Sequence, residues 1–101
     1  MKDEKWLLTM LGFAAKARKA TAGESNVEAA VKQHKAELLL AAEDISPARL
    51  KHWQRVAEEN GIKIVCASTQ EKIGAAMGLS PRSIAALLDR QMKEAVLARI
   101  E

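Results

Sequence analysis

Trp6, Leu7, Met10, Leu11, Phe13 and Ala14 recur at helical spacing near the start of the chain. They predict a helix over about residues 3–18 with one apolar face. Lys16, Arg18 and Lys19 crowd its end, and Ala20-Thr21-Ala22 predicts a brief extended segment leading to Gly23. Ser25-Asn26-Val27-Glu28 fits a capping box, with the Ser25 hydroxyl accepting from the Glu28 N–H and Glu28 reaching back. The helix it opens would bury Val27, Ala30 and Val31 and run to about His34. Leu38-Leu39-Leu40-Ala41-Ala42 is an apolar run without helical gaps, bounded by charges. It predicts a strand covered on both faces.

Glu43-Asp44-Ile45-Ser46-Pro47 then predicts a turn into a third helix over 47–60, with Ser46 as N-cap and Pro47 at the first helical position. Leu50, Trp53 and Val56/Ala57 fall in phase as its buried stripe. Asn60-Gly61 is a stop signal, Gly61 being free to turn left-handed. Ile62-Lys63-Ile64-Val65-Cys66 predicts a second strand. Ser68-Thr69-Gln70-Glu71 fits another capping box, opening a short helix that stops at Gly78. Leu79-Ser80-Pro81-Arg82 predicts a loop, Ser83 to Leu88 a strand, and Met92, Val96, Leu97 and Ile100 a terminal helix. Helices and strands alternate, which indicates a central, largely parallel sheet with helices on both faces. No repeat or Pro/Gly-rich linker interrupts the pattern.

At 101 residues the expectation is one domain, able to bury roughly 65% of its unfolded surface. The net charge of +3 permits an anionic partner without demanding one. Its distribution says more. Lys5, Lys16, Arg18 and Lys19 fall between Lys5 and Gly23, and no acid does. Cys66 is the single cysteine, so no internal disulfide can form, which fits a reducing cytoplasm. A buried, inert thiol is expected there. The apolar run from Trp6 follows the acids Asp3 and Glu4 and ends in cations. It is about half the length needed to span a bilayer, and it reads as a core-facing helix rather than a leader or an anchor.

Enzyme chemistry finds little support. No Gly-rich phosphate loop is present, and one cysteine with His34 and His52 far apart in sequence offers no metal set. Both histidines are expected on exposed polar helix faces. Glu43-Asp44 lies at a strand end, where α/β folds keep active sites. With no partner base or nucleophile, these acids are better read as favouring the N-terminus of the following helix. Neither a cofactor nor a metal is expected.

Lys16 to Lys32 is the stretch that suggests a partner. Cations beside the unpaired N–H groups of a helix start suit a phosphate backbone. The plain alternative is an ordinary connection on a solvated surface. Trp6, Phe13 and Trp53 are the only aromatics, and all three fall at expected core positions. A single-strand binder would need exposed rings. RNA, if bound, should therefore be recognised by its folded shape.

Leu11-Gly12-Phe13-Ala14-Ala15-Lys16-Ala17-Arg18-Lys19, then Gly23-Glu24, resembles the opening of bacterial YlxQ-type proteins. These belong to the superfamily of the large-subunit ribosomal proteins L-seven-Ae and L-thirty-e, the kink-turn RNA binders. Ala42-Glu43-Asp44-Ile45-Ser46-Pro47 resembles that family's Ala-Glu-Asp turn, and Ile73-Gly74-Ala75-Ala76-Met77-Gly78 its Leu-Gly-x-Ala-x-Gly segment. The resemblance implies a three-layer α/β/α sandwich with a four-stranded mixed sheet. It implies a single ribosomal-protein-like RNA-binding domain over residues 1–101, non-enzymatic and without a cofactor. It further implies a cytoplasmic monomer, partnered by structured RNA (rRNA or another kink-turn-like element) and the ribosome, away from membranes.

The family's contact turn reads Gly-x-Asn-Glu-x-x-Lys. Gly23 matches its Gly, while Ser25, Asn26 and Ala29 stand at the Asn, Glu and Lys positions. Lys32 lies three residues beyond Ala29, on the same helix face. The resemblance then implies close backbone approach at Gly23-Glu24 and base contacts from Ser25 and Asn26. Phosphates would meet Lys16, Arg18, Lys19, Lys32 and Arg82. The second contact loop would be Leu79-Ser80-Pro81-Arg82, with Leu79 and Pro81 packing on a base or sugar. Two other readings stay open: a protein–protein adaptor using the exposed face of the third helix, and a small-ligand binder at the carboxyl ends of the strands.

Overall fold

The computed structural model describes residues 3–100. The chain runs α1 (Glu4–Lys16), β1 (Ala20–Ala22), α2 (Glu24–Lys32), β2 (Leu38–Ala41), α3 (Pro47–Glu59), β3 (Lys63–Cys66), α4 (Gln70–Ala76), β4 (Ile84–Leu87) and α5 (Arg90–Ile100). The sheet order is β1-β4-β2-β3. Leu38, Leu40, Ala85 and Leu87 pack on Leu7, Leu11, Ile73 and Val96, from α1, α4 and α5. Leu39, Ala41, Ile84 and Ala86 pack on Val27, Val31, Trp53 and Ala57, from α2 and α3. Alternate residues of the central strands thus feed opposite cores, as the period of two requires. The result is the three-layer α/β/α sandwich.

The sheet is mixed rather than largely parallel. β2 and β3 are parallel, whereas β4 is antiparallel to both β1 and β2. β1, β2 and β3 all point one way, as strand–helix alternation predicts. β4 is the exception, and it enters between β1 and β2. Its direction follows from the return after α4. The Leu79 N–H donates to the Gly74 carbonyl (2.8 Å) and the Arg82 N–H to the Gln70 carbonyl (3.0 Å). The loop therefore runs back beside α4 and re-enters the sheet at the end where β2 and β3 finish.

Local signals set several boundaries. The Ser46 Oγ accepts from the Arg49 N–H at 3.2 Å, Pro47 opens α3, and Gly61 takes φ 64° after it. Trp53 is buried at 1% exposure, in the predicted phase. Other expectations are corrected. Ser25 caps nothing: α2 starts at Glu24, with Gly23 in the cap position and no side-chain cap bond. The Gly23 N–H is held by the Ile84 carbonyl (3.0 Å), so the chain leaves the β1–β4 ladder at Gly23 and turns directly into helix. The second box shifts too. Thr69, not Ser68, caps α4, because Ser68 is drawn into the preceding turn at φ 62° with its N–H on Glu43 Oε1 (2.9 Å).

Phe13 is 65% exposed, not core. Leu7, Leu11 and Ala14 fill the inward stripe of α1, and Phe13 lies about 120° away from its centre. Trp6 is only partly buried, with the Arg99 guanidinium 4.8 Å over its ring. Cys66 is exposed at the end of the edge strand β3. Partial desolvation, with the Glu43 charge nearby, pushes its thiol pKa up, which disfavours the reactive thiolate. His34 lies past the end of α2 at φ 59°, and His52 is half-buried, edge-on to Trp53.

Candidate nucleic-acid interface

The start of α2 and the loop after α4 lie side by side. Gly23 has φ 97° and ψ 149°, a conformation that side chains disfavour. A Cβ placed there would stand 3.4 Å from Arg82 Nε. Arg82 therefore lies across the entry to α2. Its Nη1 donates to the Ser80 carbonyl (2.9 Å), the Ser80 Oγ (2.6 Å) and the Pro81 carbonyl (3.1 Å). These bonds hold the loop in shape, and no acid among the described residues neutralises the guanidinium. Leu79 is 41% exposed, and Ser80 and Pro81 are exposed beside it.

Glu43 and Asp44 hold the turn that opens α4. Besides the Glu43–Ser68 bond, Asp44 Oδ1 accepts from the Gln70 N–H at 2.9 Å. The acids thus serve the start of α4, rather than α3 as the sequence suggested. One oxygen of each carboxylate accepts from a backbone N–H, a structural role. Among the described residues no group of three or more His, Cys, Asp and Glu side chains is placed to hold a metal, and no helix is long and apolar enough to cross a membrane.

Glu24, in the first turn of α2, meets Arg49 of α3 through two contacts: Arg49 Nε to Glu24 Oε2 at 2.9 Å, and Arg49 Nη2 to Glu24 Oε1. The Arg49 hydrogen bonds hold the Glu24 carboxyl below its usual value of 4.5, with burial pulling the other way. Because the folded value is depressed, the pair stabilises the fold above pH 4.5, and this contribution disappears as pH falls through the lower folded value. The stability difference between wild type and Glu24→Gln should therefore be constant near neutrality and vanish in acid. A difference that persists unchanged at pH 2 would show that the charge pair is not its cause. Both side chains are well exposed, so the effect is modest.

Among the residues the sequence singled out, Gly23, which leads into Glu24, Ser25 and Asn26, is brought against Arg82 of the loop 79–82. Asn26 Nδ2 donates to the Ala22 carbonyl at 3.0 Å, which leaves Oδ1 as its outward acceptor. Lys19 and Lys32 are placed elsewhere. Lys19 precedes the far end of β1, its Nζ 3.6 Å from Asp89 Oδ1. Lys32 closes α2, about 12 Å along the helix from Glu24, with its Nζ 3.0 Å from Glu28 Oε1. Lys16 and Arg18 lie at the end of α1 without an ion pair among the described residues. Two participants escaped the sequence reading. Arg49 stands 25 residues from its partner, with no local trace of the pairing. Gly74 was visible only as part of a motif. A Cβ on it would lie 2.1 Å from the Ser80 carbonyl oxygen, so the bare backbone is what lets the loop close.

Comparison with known proteins places this arrangement. The model of the Ribosomal protein L7Ae/L30e/S12e/Gadd45 family matches residues 6–97. Over 67 residues the chain is 39% identical to the large ribosomal subunit protein eL8 of Haloquadratum walsbyi, covering 65% of this chain and 56% of that one. It is 35% identical over 65 residues to eL8 of Halobacterium salinarum, covering 63% and 54%. The chain thus spans about half the length of the curated relatives it matches. A solved structure of a Bacillus halodurans C protein with unknown function superposes with a TM-score of 0.85 at 25% identity, covering 94% and 95% of the two chains. The Giardia lamblia 15.5 kDa RNA binding protein shares the fold, with a TM-score of 0.80 at 24% identity, covering 99% of this chain and 85% of that one. With a match reaching from α1 into α5, this chain belongs to the ribosomal protein L7Ae/L30e/S12e/Gadd45 family.

Proposed function

We propose that this protein binds structured RNA, without catalysis, as a ribosome-associated cytoplasmic monomer folded as one domain. The observation that carries this reading is Arg82, unneutralised by any acid among the described residues, lying over Gly23 where two short segments converge. Membership of the family and the eL8 relatives support it. The target is a kink-turn or a related rRNA element. Ser25 and Asn26 read base edges, and Leu79 and Pro81 pack on an exposed base or sugar. Asn26 Oδ1 presents an acceptor, the kind of group the family's Glu supplies. Ala29 supplies no cation, and Lys32, held by Glu28, does not replace one.

A salt titration on one kink-turn RNA tests the reading. Each phosphate contact adds about 0.9 to the slope of log affinity against log salt on a duplex-like target. Arg82→Gln should flatten that slope by somewhat under one unit and weaken all RNAs about equally. Lys32→Gln should leave the slope unchanged. Asn26→Ala should reduce discrimination between the folded target and a scrambled one at constant slope. Equal slopes for wild type and Arg82→Gln would remove this face from the interface and favour the adaptor reading.

A further inference from the structure

Phe13 and Leu79 are the large hydrophobic side chains left exposed on the described surface. Each is the chain neighbour of a residue that lines one hollow of about 360 Å³, which has Gly12, Ala15 and Lys16 on one side and Met77 and Gly78 on the other. Phe13 follows Gly12 in the chain and Leu79 follows Gly78. The helices close tightly there, since a Cβ on Gly12 would be 3.0 Å from the Ala76 carbonyl oxygen. The hollow therefore joins Gly78, just before the loop assigned to RNA, to Lys16 at the end of α1.

The charge around Phe13 has one sign. Lys5, Thr9, Phe13 and Lys16 share the outward stripe of α1 and are all exposed. Lys5, Lys16 and Arg18 form no ion pair among the described residues, whereas Lys19, Lys32, Lys72 and Lys93 each face an acid. Arg18 is also held at φ 60°. The Lys19 N–H reaches the Ala14 carbonyl (2.7 Å) and the Arg18 N–H the Ala15 carbonyl (3.1 Å), a helix ending that favours glycine. An arginine there carries backbone strain that glycine would relieve.

We propose that Phe13, Lys16 and Arg18 form an extension of the RNA interface that takes single-stranded nucleotides leaving the structured element. One unpaired base stacks on the Phe13 ring, and the phosphates beside it face Lys16 and Arg18. This rests on the function proposed above. An exposed ring among unneutralised cations suits a nucleotide, because stacking is tolerant of sequence and the cations meet the backbone. It also reverses the expectation that no ring is available for stacking.

The probe is a kink-turn RNA, blunt or extended by an oligoadenosine tail at the 5′ or 3′ end. One tailed form should bind wild type more tightly than the blunt form, by roughly 5- to 100-fold. Phe13→Ala should erase that gain and leave blunt binding unchanged. Phe13→Trp should keep the gain, and Phe13→Leu should lose it. Arg18→Gly should keep or raise the melting temperature while flattening the salt slope of the tailed RNA by about 0.7. A tail gain that survives Phe13→Ala or Phe13→Leu overturns stacking, although the proposed function stands if blunt RNA binds. A wild-type dimer in sedimentation that Phe13→Ala dissociates would assign the ring to a second copy of the chain instead. Failure of both RNAs to bind wild type sinks the extension and the proposed function together.

Discussion

Replacing Trp53 with alanine should destabilise the fold by about 3–5 kcal/mol, read as a lower denaturant midpoint at an unchanged slope. Trp53 is 1% exposed and is the largest side chain between α3 and the sheet. Only α2 and α3 cover that face, and Val27, Leu39, Ile84 and Ala86 pack in the same cluster. Strands and helices fixed by their own hydrogen bonds cannot collapse into the space an indole leaves, so the void persists. Against a total stability of about 5–15 kcal/mol, the loss is large. Trp53→Phe should cost clearly less. It keeps most of the ring and gives up only the indole N–H, which lies near the Glu24 carboxyl. The site should feel the alanine change as well, because Arg49 lies one turn before Trp53 and holds Glu24 at the start of α2. An unchanged midpoint would place the inner face of α3 elsewhere.

How far the sequence could be read depended on where each structural cause lies. The boundaries of α3 are set within the helix, by Ser46, Pro47 and Gly61, and they were legible. The strand β2, apolar at every position, announced two covered faces. The direction of β4 was not legible, because it follows from a loop folding back along α4. The start of α2 was misplaced for a similar reason. A strand-ladder bond at Gly23 overrides a well-formed capping pattern at Ser25. Phe13 was misassigned because the first helix carries more apolar positions than its inward stripe can hold. In the site, Gly23, Ser25, Asn26 and the loop 79–82 were named through the family resemblance. Their adjacency, and the dispersal of Lys19 and Lys32 to other partners, exist only in three dimensions.

Gly74→Ala should lower the melting temperature and weaken RNA binding by on the order of tenfold to a hundredfold, about 1.4–2.8 kcal/mol. In an exposed helix this substitution would stabilise by up to about 1 kcal/mol, since alanine is the better helix former. Here the new Cβ would lie 2.1 Å from the Ser80 carbonyl oxygen, 2.7 Å from its carbon and 2.9 Å from the Pro81 Cα. All three are backbone atoms, so relief requires the loop itself to shift away from α4. That shift strains the bonds from Leu79 to Gly74 and from Arg82 to Gln70, at a cost of about 1–3 kcal/mol for overpacking. It also lifts Arg82 from its position over Gly23, separating the two halves of the proposed interface. The sign of the melting shift therefore decides between two pictures. A fall in melting temperature together with lost affinity shows a loop held in place by a bare glycine. A raised melting temperature with RNA affinity intact would show that the loop yields freely and does not help to hold RNA.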